Sequence, residues 1–415
     1  PTSMIKGLIR ERANTQKSAI HEVGSKWGEE QTLAGPFISI PYDRYVKQQS
    51  KKKDGDVVIK LKEYIHFLPT YLSVKGTINP EQRHRGIYDI VVYNSTINIS
   101  GSFKNLDFSK LDIPLKDIHF DKATLSLGIS DLRGIEKQVL LNWNKDKFLF
   151  NPGTVSHDVI NSSINTLVKI DENNDIPYDF SLNLDLKGSQ KLYFTPVGET
   201  TDVTISSDWN NPSFNGAFLP DTRTVNKNGF SANWNVLHLN RNYPQMWTGS
   251  MNNIDNSAFG IDLLIPVDNY QKSMRSIKYS LLFISFTFLV FFFVEILNKV
   301  FIHPVQYILV GTALVVFYTL LLSISEHLSF NKSFLISALS TLLLIVGYVK
   351  AILKSNQLAL LIGGILLLLY TFIFSLIQLQ DYALLIGSIG IFFILGLVMY
   401  FSRKIDWYNL NLDEE

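Results

Sequence analysis

Residues 279–294 read YSLLFISFTFLVFFFV, an uncharged run that stops at Glu295, Asn298 and Lys299. A helix rises about 1.5 Å per residue, so some 17–20 apolar residues suffice to cross the hydrocarbon core of a bilayer. Four more stretches follow that lack Lys, Arg, Asp and Glu: 300–325, 333–349, 355–380 and 382–402. Backbone polar groups cannot be left bare in hydrocarbon, so these segments are expected as transmembrane helices, over 278–298, 304–325, 333–351, 357–378 and 382–402. Gly311, Gly347, Gly363, Gly364, Gly387 and Gly390 suit close helix contact. Tyr279, Tyr307, Tyr382, Tyr400 and Trp407 fall near span ends, where amphipathic rings anchor at the interface.

Working outward, the rest of the chain is of another kind. Of the 38 Lys and Arg, only six follow residue 278, and the net charge of the 415 residues is +1. That balance gives no electrostatic footprint for nucleic acid. There is no Cys, which excludes disulfides, thiolate nucleophiles and Cys-held metals. Placing the N-terminal part outside puts Lys299, Lys350, Lys354, Arg403 and Lys404 in inner loops and only Lys332 in an outer one. Positive charge favours the inner side, so the domain is expected outside and the tail, 403–415, inside. This orientation needs an export signal, and a sixth, N-terminal transmembrane helix is expected ahead of Met4. Residues 1–32 then form a juxtamembrane helix and linker.

Residues 33–270 read as strands and turns. Apolar and polar residues alternate in Thr96-Ile97-Asn98-Ile99-Ser100, in Phe180-Ser181-Leu182-Asn183-Leu184-Asp185-Leu186 and in Phe230-Ser231-Ala232-Asn233-Trp234. Gly, Asn, Asp and Pro punctuate these runs. The expected fold class is an α+β membrane protein, with an antiparallel β-sandwich-like periplasmic domain and a C-terminal bundle of five transmembrane helices. Short helices are expected at residues 6–25 and near 157–167, and Lys51-Lys52-Lys53-Asp54-Gly55-Asp56 reads as a polar loop.

Dispersed strings share a pattern. They include Trp27-Gly28, Gln31-Thr32-Leu33-Ala34-Gly35-Pro36, Arg83-His84-Arg85-Gly86-Ile87-Tyr88, Phe259-Gly260-Ile261-Asp262 and Pro266-Val267-Asp268. In the apolar half they include Ile302-His303-Pro304-Val305-Gln306-Tyr307, Ser323-Ile324-Ser325-Glu326-His327 and Ile405-Asp406-Trp407. Together they resemble the CreD family of bacterial inner-membrane proteins, over essentially the whole chain. The resemblance implies a Gram-negative inner membrane, a periplasmic domain, and a link to envelope stress and a two-component system. It supplies no catalytic residue set.

The residues left to carry chemistry are few. Glu326 and His327 close an apolar run at the expected outer face and could relay a proton, bind a metal or hold a head group, or simply be loop residues or cap the next helix. His303 precedes Pro304 at a helix start. Glu295 is expected near the inner interface or Lys299. Arg83 and Arg85, with His84, form a basic cluster able to meet a phosphate or carboxylate, or to be charge-paired at a strand end. No nucleophile elbow, zinc-protease motif, phosphate loop or dinucleotide fingerprint is present, so no catalytic, cofactor or metal residues are assigned. The reading is a non-enzymatic inner-membrane protein supporting envelope integrity or stress response, its periplasmic domain sensing or scaffolding an envelope component. A lipid or small-solute transporter and a membrane enzyme on a lipid-linked substrate are the alternatives. The bilayer is one partner; an envelope lipid, polymer or periplasmic protein is another, nucleic acid is not, and nothing signals an oligomeric state.

Overall fold

The computed structural model describes residues 2–49, 56–104, 106–171, 176–250, 252–263, 269–379, 382–403 and 405. Residues 51–55 of the lysine-rich loop, the Pro266-Val267-Asp268 string, and Asp406 and Trp407 of the tail lie outside that set. The fold is α+β, and the chain divides into two compact units: residues 18–266, rich in strands, and a helical unit of residues 1–17 with 267–415.

Two sheets make up the strand-rich unit, of nine and eight strands among the described residues. In the smaller sheet one row of side chains shows why the alternating sequence folds this way. Leu141, Leu182, Ile99, Val74, Val203 and Trp234 are register partners across six strands, and all are buried. Their polar neighbours in sequence face the other way, because side chains alternate across a strand. Burying each such side chain contributes about 1.5–3 kcal/mol. In the other sheet Ile38 lies between Phe67 and Leu125, and residues of both sheets share one apolar core, as in a sandwich. Most pairings are antiparallel. Each sheet also holds one parallel pair, Gln31–Gln49 with Lys191–Thr195 and Tyr71–Arg85 with Thr200–Ser207, which alternation alone cannot distinguish from antiparallel pairing.

The short helix expected near residues 157–167 is not formed. Residues 157–162 are turns and bends, and Ser163–Leu167 is a strand paired with Thr124–Ile129. Its Ile164 and Thr166 are buried while Leu167 is exposed, a two-residue period that pairing with a neighbouring strand rewards over helix formation.

Seven helices are described: α1 (Thr2–Trp27), α2 (Asn269–Lys278), α3 (Ser280–Asn298), α4 (Pro304–Ser325), α5 (Phe330–Leu353), α6 (Asn356–Gln378) and α7 (Ala383–Ser402). Helices α3 to α7 are long and apolar enough to cross a membrane. Local signals set their ends. His303 caps α4 through its ring, Gln306 reaches back to the His303 N–H and Pro304 takes the first turn. Ser355 caps α6, and Lys299 and Lys354 close α3 and α5 in the left-handed conformation. The helical core is aromatic: the Phe283 and Phe317 rings lie 4.7 and 4.9 Å from Tyr370. Ile5 and Ile9 of α1 are buried in the same core.

Candidate functional site

The basic cluster read from the sequence lies in the strand-rich unit, where Tyr71–Arg85 turns back into Tyr88–Phe103. Gly86, at φ +61°, takes the first turn position, which asks for a left-handed residue. Against this hairpin end lies the last turn of α1. That helix stops at Gly28, whose φ is +153° and whose missing Cβ would sit 2.8 Å from the Lys187 carbonyl oxygen. Only glycine allows that approach, and it brings Trp27 among basic side chains.

The Arg83 guanidinium lies 3.8 Å from the centre of the Trp27 ring and the Lys187 Nζ 4.6 Å from it. Each such cation–π contact is worth about 0.5–2 kcal/mol. The Trp27 ring N–H donates to the Tyr93 carbonyl at 3.4 Å. Arg85 grips Glu22 with two N–H groups, at 3.2 and 2.9 Å, and Lys26 donates to the same carboxylate at 2.9 Å. Lys26, then Arg85, holds the Glu22 carboxyl below the usual carboxylate range, so it remains an anion. His84 turns to Asp89 at 2.5 Å. A cleft of about 310 Å³ remains between α1 and the hairpin, lined by Glu22, Val23, Lys26, Trp27, Arg83, His84 and Arg85. Three permanent cations line it against one carboxylate. Besides the Trp27 ring, Arg83 has a 3.4 Å contact to Glu81, and its Nε is buried without a hydrogen-bond partner among the described residues.

Glu326 sits at the C-terminal end of α4 and is partly buried. Its Oε1 lies 3.5 Å from Arg12 Nε of α1 and accepts from the Tyr270 hydroxyl at 3.4 Å. His327, the next residue, is exposed, and its side chain makes no hydrogen bond among the described residues. The two candidates, both just past the end of α4, thus meet different surroundings, Glu326 partly buried and His327 exposed. His303 is the α4 cap, its Nδ1 accepting from the Val305 N–H at 3.3 Å. Glu295, expected near the inner interface or Lys299, accepts from the Tyr307 hydroxyl at 2.6 Å and the Ile302 N–H at 3.2 Å. These bonds tie the end of α3 to the start of α4.

One constellation was not read from the sequence. The Ser39 hydroxyl lies 2.9 Å from His66 Nδ1, and His66 Nε2 lies 3.4 Å from Asp158. Ser39 and His66 are 1% and 0% exposed, so no substrate reaches them. Burial pushes the His66 imidazole below its ordinary range despite the pull of Asp158. Their separation in sequence hides this arrangement; only the pairing of Gln31–Gln49 with Asp56–Phe67 sets Ser39 opposite His66. Among the described residues, no three His, Asp or Glu side chains group as metal ligands.

The geometry can be set beside known proteins. The family described as "Inner membrane protein CreD" matches residues 1–408. The chain belongs to the CreD family. It is similar to the inner membrane protein CreD of Escherichia coli (strain K12), with 32% identity over 417 residues that cover 99% of this chain and 91% of that protein. Both the cleft at Trp27 and the five apolar helices therefore lie within the span that matches CreD.

Proposed function

We propose that this CreD-family membrane protein is non-enzymatic and supports the integrity of the cell envelope. Its strand-rich domain lies on the periplasmic side, its C-terminus lies in the cytoplasm, and the domain holds an anionic envelope component in the cleft at Trp27. The cleft itself carries this reading: it has three permanent cations to one carboxylate, and Arg83 stacks on Trp27 with only a long 3.4 Å ion pair to Glu81 among the described residues. A planar guanidinium fork suits carboxylate and phosphate oxygens. The cleft lining offers no Ser, Thr or Cys nucleophile, and Ser39 and His66 of the Ser39–His66–Asp158 chain are buried, Asp158 alone of the three reaching solvent. Both features support binding over catalysis. The unequal placement of Lys and Arg supports the orientation.

Binding of the detergent-solubilised full-length protein to carboxylate- or phosphate-bearing envelope polymer fragments tests the cleft. Arg83→Gln with Lys26→Gln should weaken binding about tenfold, as expected for losing charge-assisted contacts, and make the remainder less sensitive to salt. Equal affinity and equal salt dependence in the variant would remove the cleft from the function.

A further inference from the structure

The first two strands of the strand-rich unit run on together after their other neighbours have left them. Gln31–Gln49 and Asp56–Phe67 pair continuously from Ile38↔Phe67 out to Gln49↔Asp56. Met246–Thr248 pairs only with residues 65–67. Thr124–Ile129 follows the first strand only as far as Ser39, and one further bridge joins Tyr42 to Ile118. From Arg44↔Leu61 outward, among the described residues, the two strands pair only with each other. Residues 44–49 at about 3.3 Å each give an arm of about 20 Å.

A two-stranded ribbon on its own is marginal in water, and natural proteins keep such unprotected strands polar. This arm is apolar on both faces. Register partners share a face, and successive residues alternate between faces. One face sets Val46 opposite Ile59, with Leu61 next along the same side; the other sets Tyr45 opposite Lys60 and Val58 opposite Lys47. Tyr45 and Val58 are 55% and 56% exposed, and Ile59 and Leu61 are exposed as well. Nearer the sheet the same two strands bury Ile38, Ile40 and Ile65 completely.

The charge of the arm is unbalanced. Its two carboxylates are taken, Asp43 by Lys60 at 2.7 Å and Glu63 by Arg44 at 2.9 Å. Lys47 and Lys62 form no ion pair among the described residues, and the Lys62 Nζ lies 5.4 Å from the centre of the Tyr64 ring. A folded protein docking on a ribbon covers one face, whereas a lipid boundary surrounds both. Acyl chains accept the aliphatic side chains, and anionic head groups accept the lysines, whose stems lie along the apolar surface.

We infer that this arm inserts into the head-group boundary of an anionic phospholipid surface, with Val46, Ile59 and Leu61 on one side and Tyr45 and Val58 on the other. The chain has no Cys, so a fluorophore can be placed on either face of the full-length protein, at Ile59→Cys or Val58→Cys. In proteoliposomes of phosphatidylcholine with phosphatidylglycerol, a lipid nitroxide near the head group should quench both probes about twofold or more, as shallow insertion implies. Lys47→Gln with Lys62→Gln should lower the ratio of inserted to free arm about tenfold, since each lysine at an anionic surface favours binding several-fold. An unchanged ratio would overturn the anionic surface. Quenching at one face alone would overturn the assignment, because a lipid boundary meets both. Two unquenched probes would overturn it by leaving the arm in water, and a disulfide between copies at Ile59→Cys without quenching would seat a second copy there instead.

Discussion

The two units expose different surfaces. In the strand-rich unit Trp234, Val203 and Leu182 are sealed inside, and the residues that alternate with them are polar. In α7 only Gly387 is buried, while Leu384 is 87% and Phe392 73% exposed. The helical unit's interior holds Tyr318, Tyr370, Ser333 and Thr341 beside Phe283 and Phe317. Water penalises exposed apolar area and so drives such residues inward. Lipid does not, which leaves close packing and polar contacts to hold helices together. Which residues lie inside thus depends on the solvent each unit was built for.

The sharpest test of that contrast is whether the units meet different sides of the membrane. The chain has no Cys, so single cysteines report cleanly. Leu239→Cys, at a site 81% exposed, should react fully with a membrane-impermeant maleimide in intact spheroplasts, and Asn356→Cys only after lysis. The reverse pattern would invert the orientation. Next in size is a matched pair of truncations. Trp234→Ala should destabilise the strand-rich unit by about 3–5 kcal/mol in denaturant unfolding. Leu384→Ala, by contrast, should change the stability of the solubilised protein by less than about 0.5 kcal/mol. Equal losses would mean that α7 does not face lipid.

The smallest effect concerns pH. Burial holds His66 below its ordinary pKa of 6.5, so folded His66 stays neutral where the unfolded imidazole takes up a proton. The unfolded state then binds more protons, and stability falls as pH drops from 6.5 towards the folded value, by at most about 1.4 kcal/mol per pH unit. Unfolding between pH 7.5 and 5.5 should show this slope in the wild type and a shallower one in His66→Gln. Identical slopes would show that His66 titrates alike in both states.

Much of this was legible in the chain. The five apolar helices follow from uncharged runs, because no other structure satisfies the backbone in lipid. The strands follow from a two-residue period, and the family from dispersed strings along the chain. The helix start at His303-Pro304 was legible because its signals are local. The short helix near residues 157–167 misled because a few residues cannot outweigh sheet pairing. Glu326 and His327, read together from the sequence, meet different surroundings because the chain turns at the end of α4.

By itself, then, the sequence determined the solvent of each segment and its local conformation, since both depend on residues within a few turns of one another. Tertiary structure alone decided the parallel strand pairs, the Ser39–His66–Asp158 chain and the gathering of cations at Trp27. In the Ser39–His66–Asp158 chain the partners are 27 to 92 residues apart. No local spacing encodes such meetings, because strand register and the position of each helix end set them.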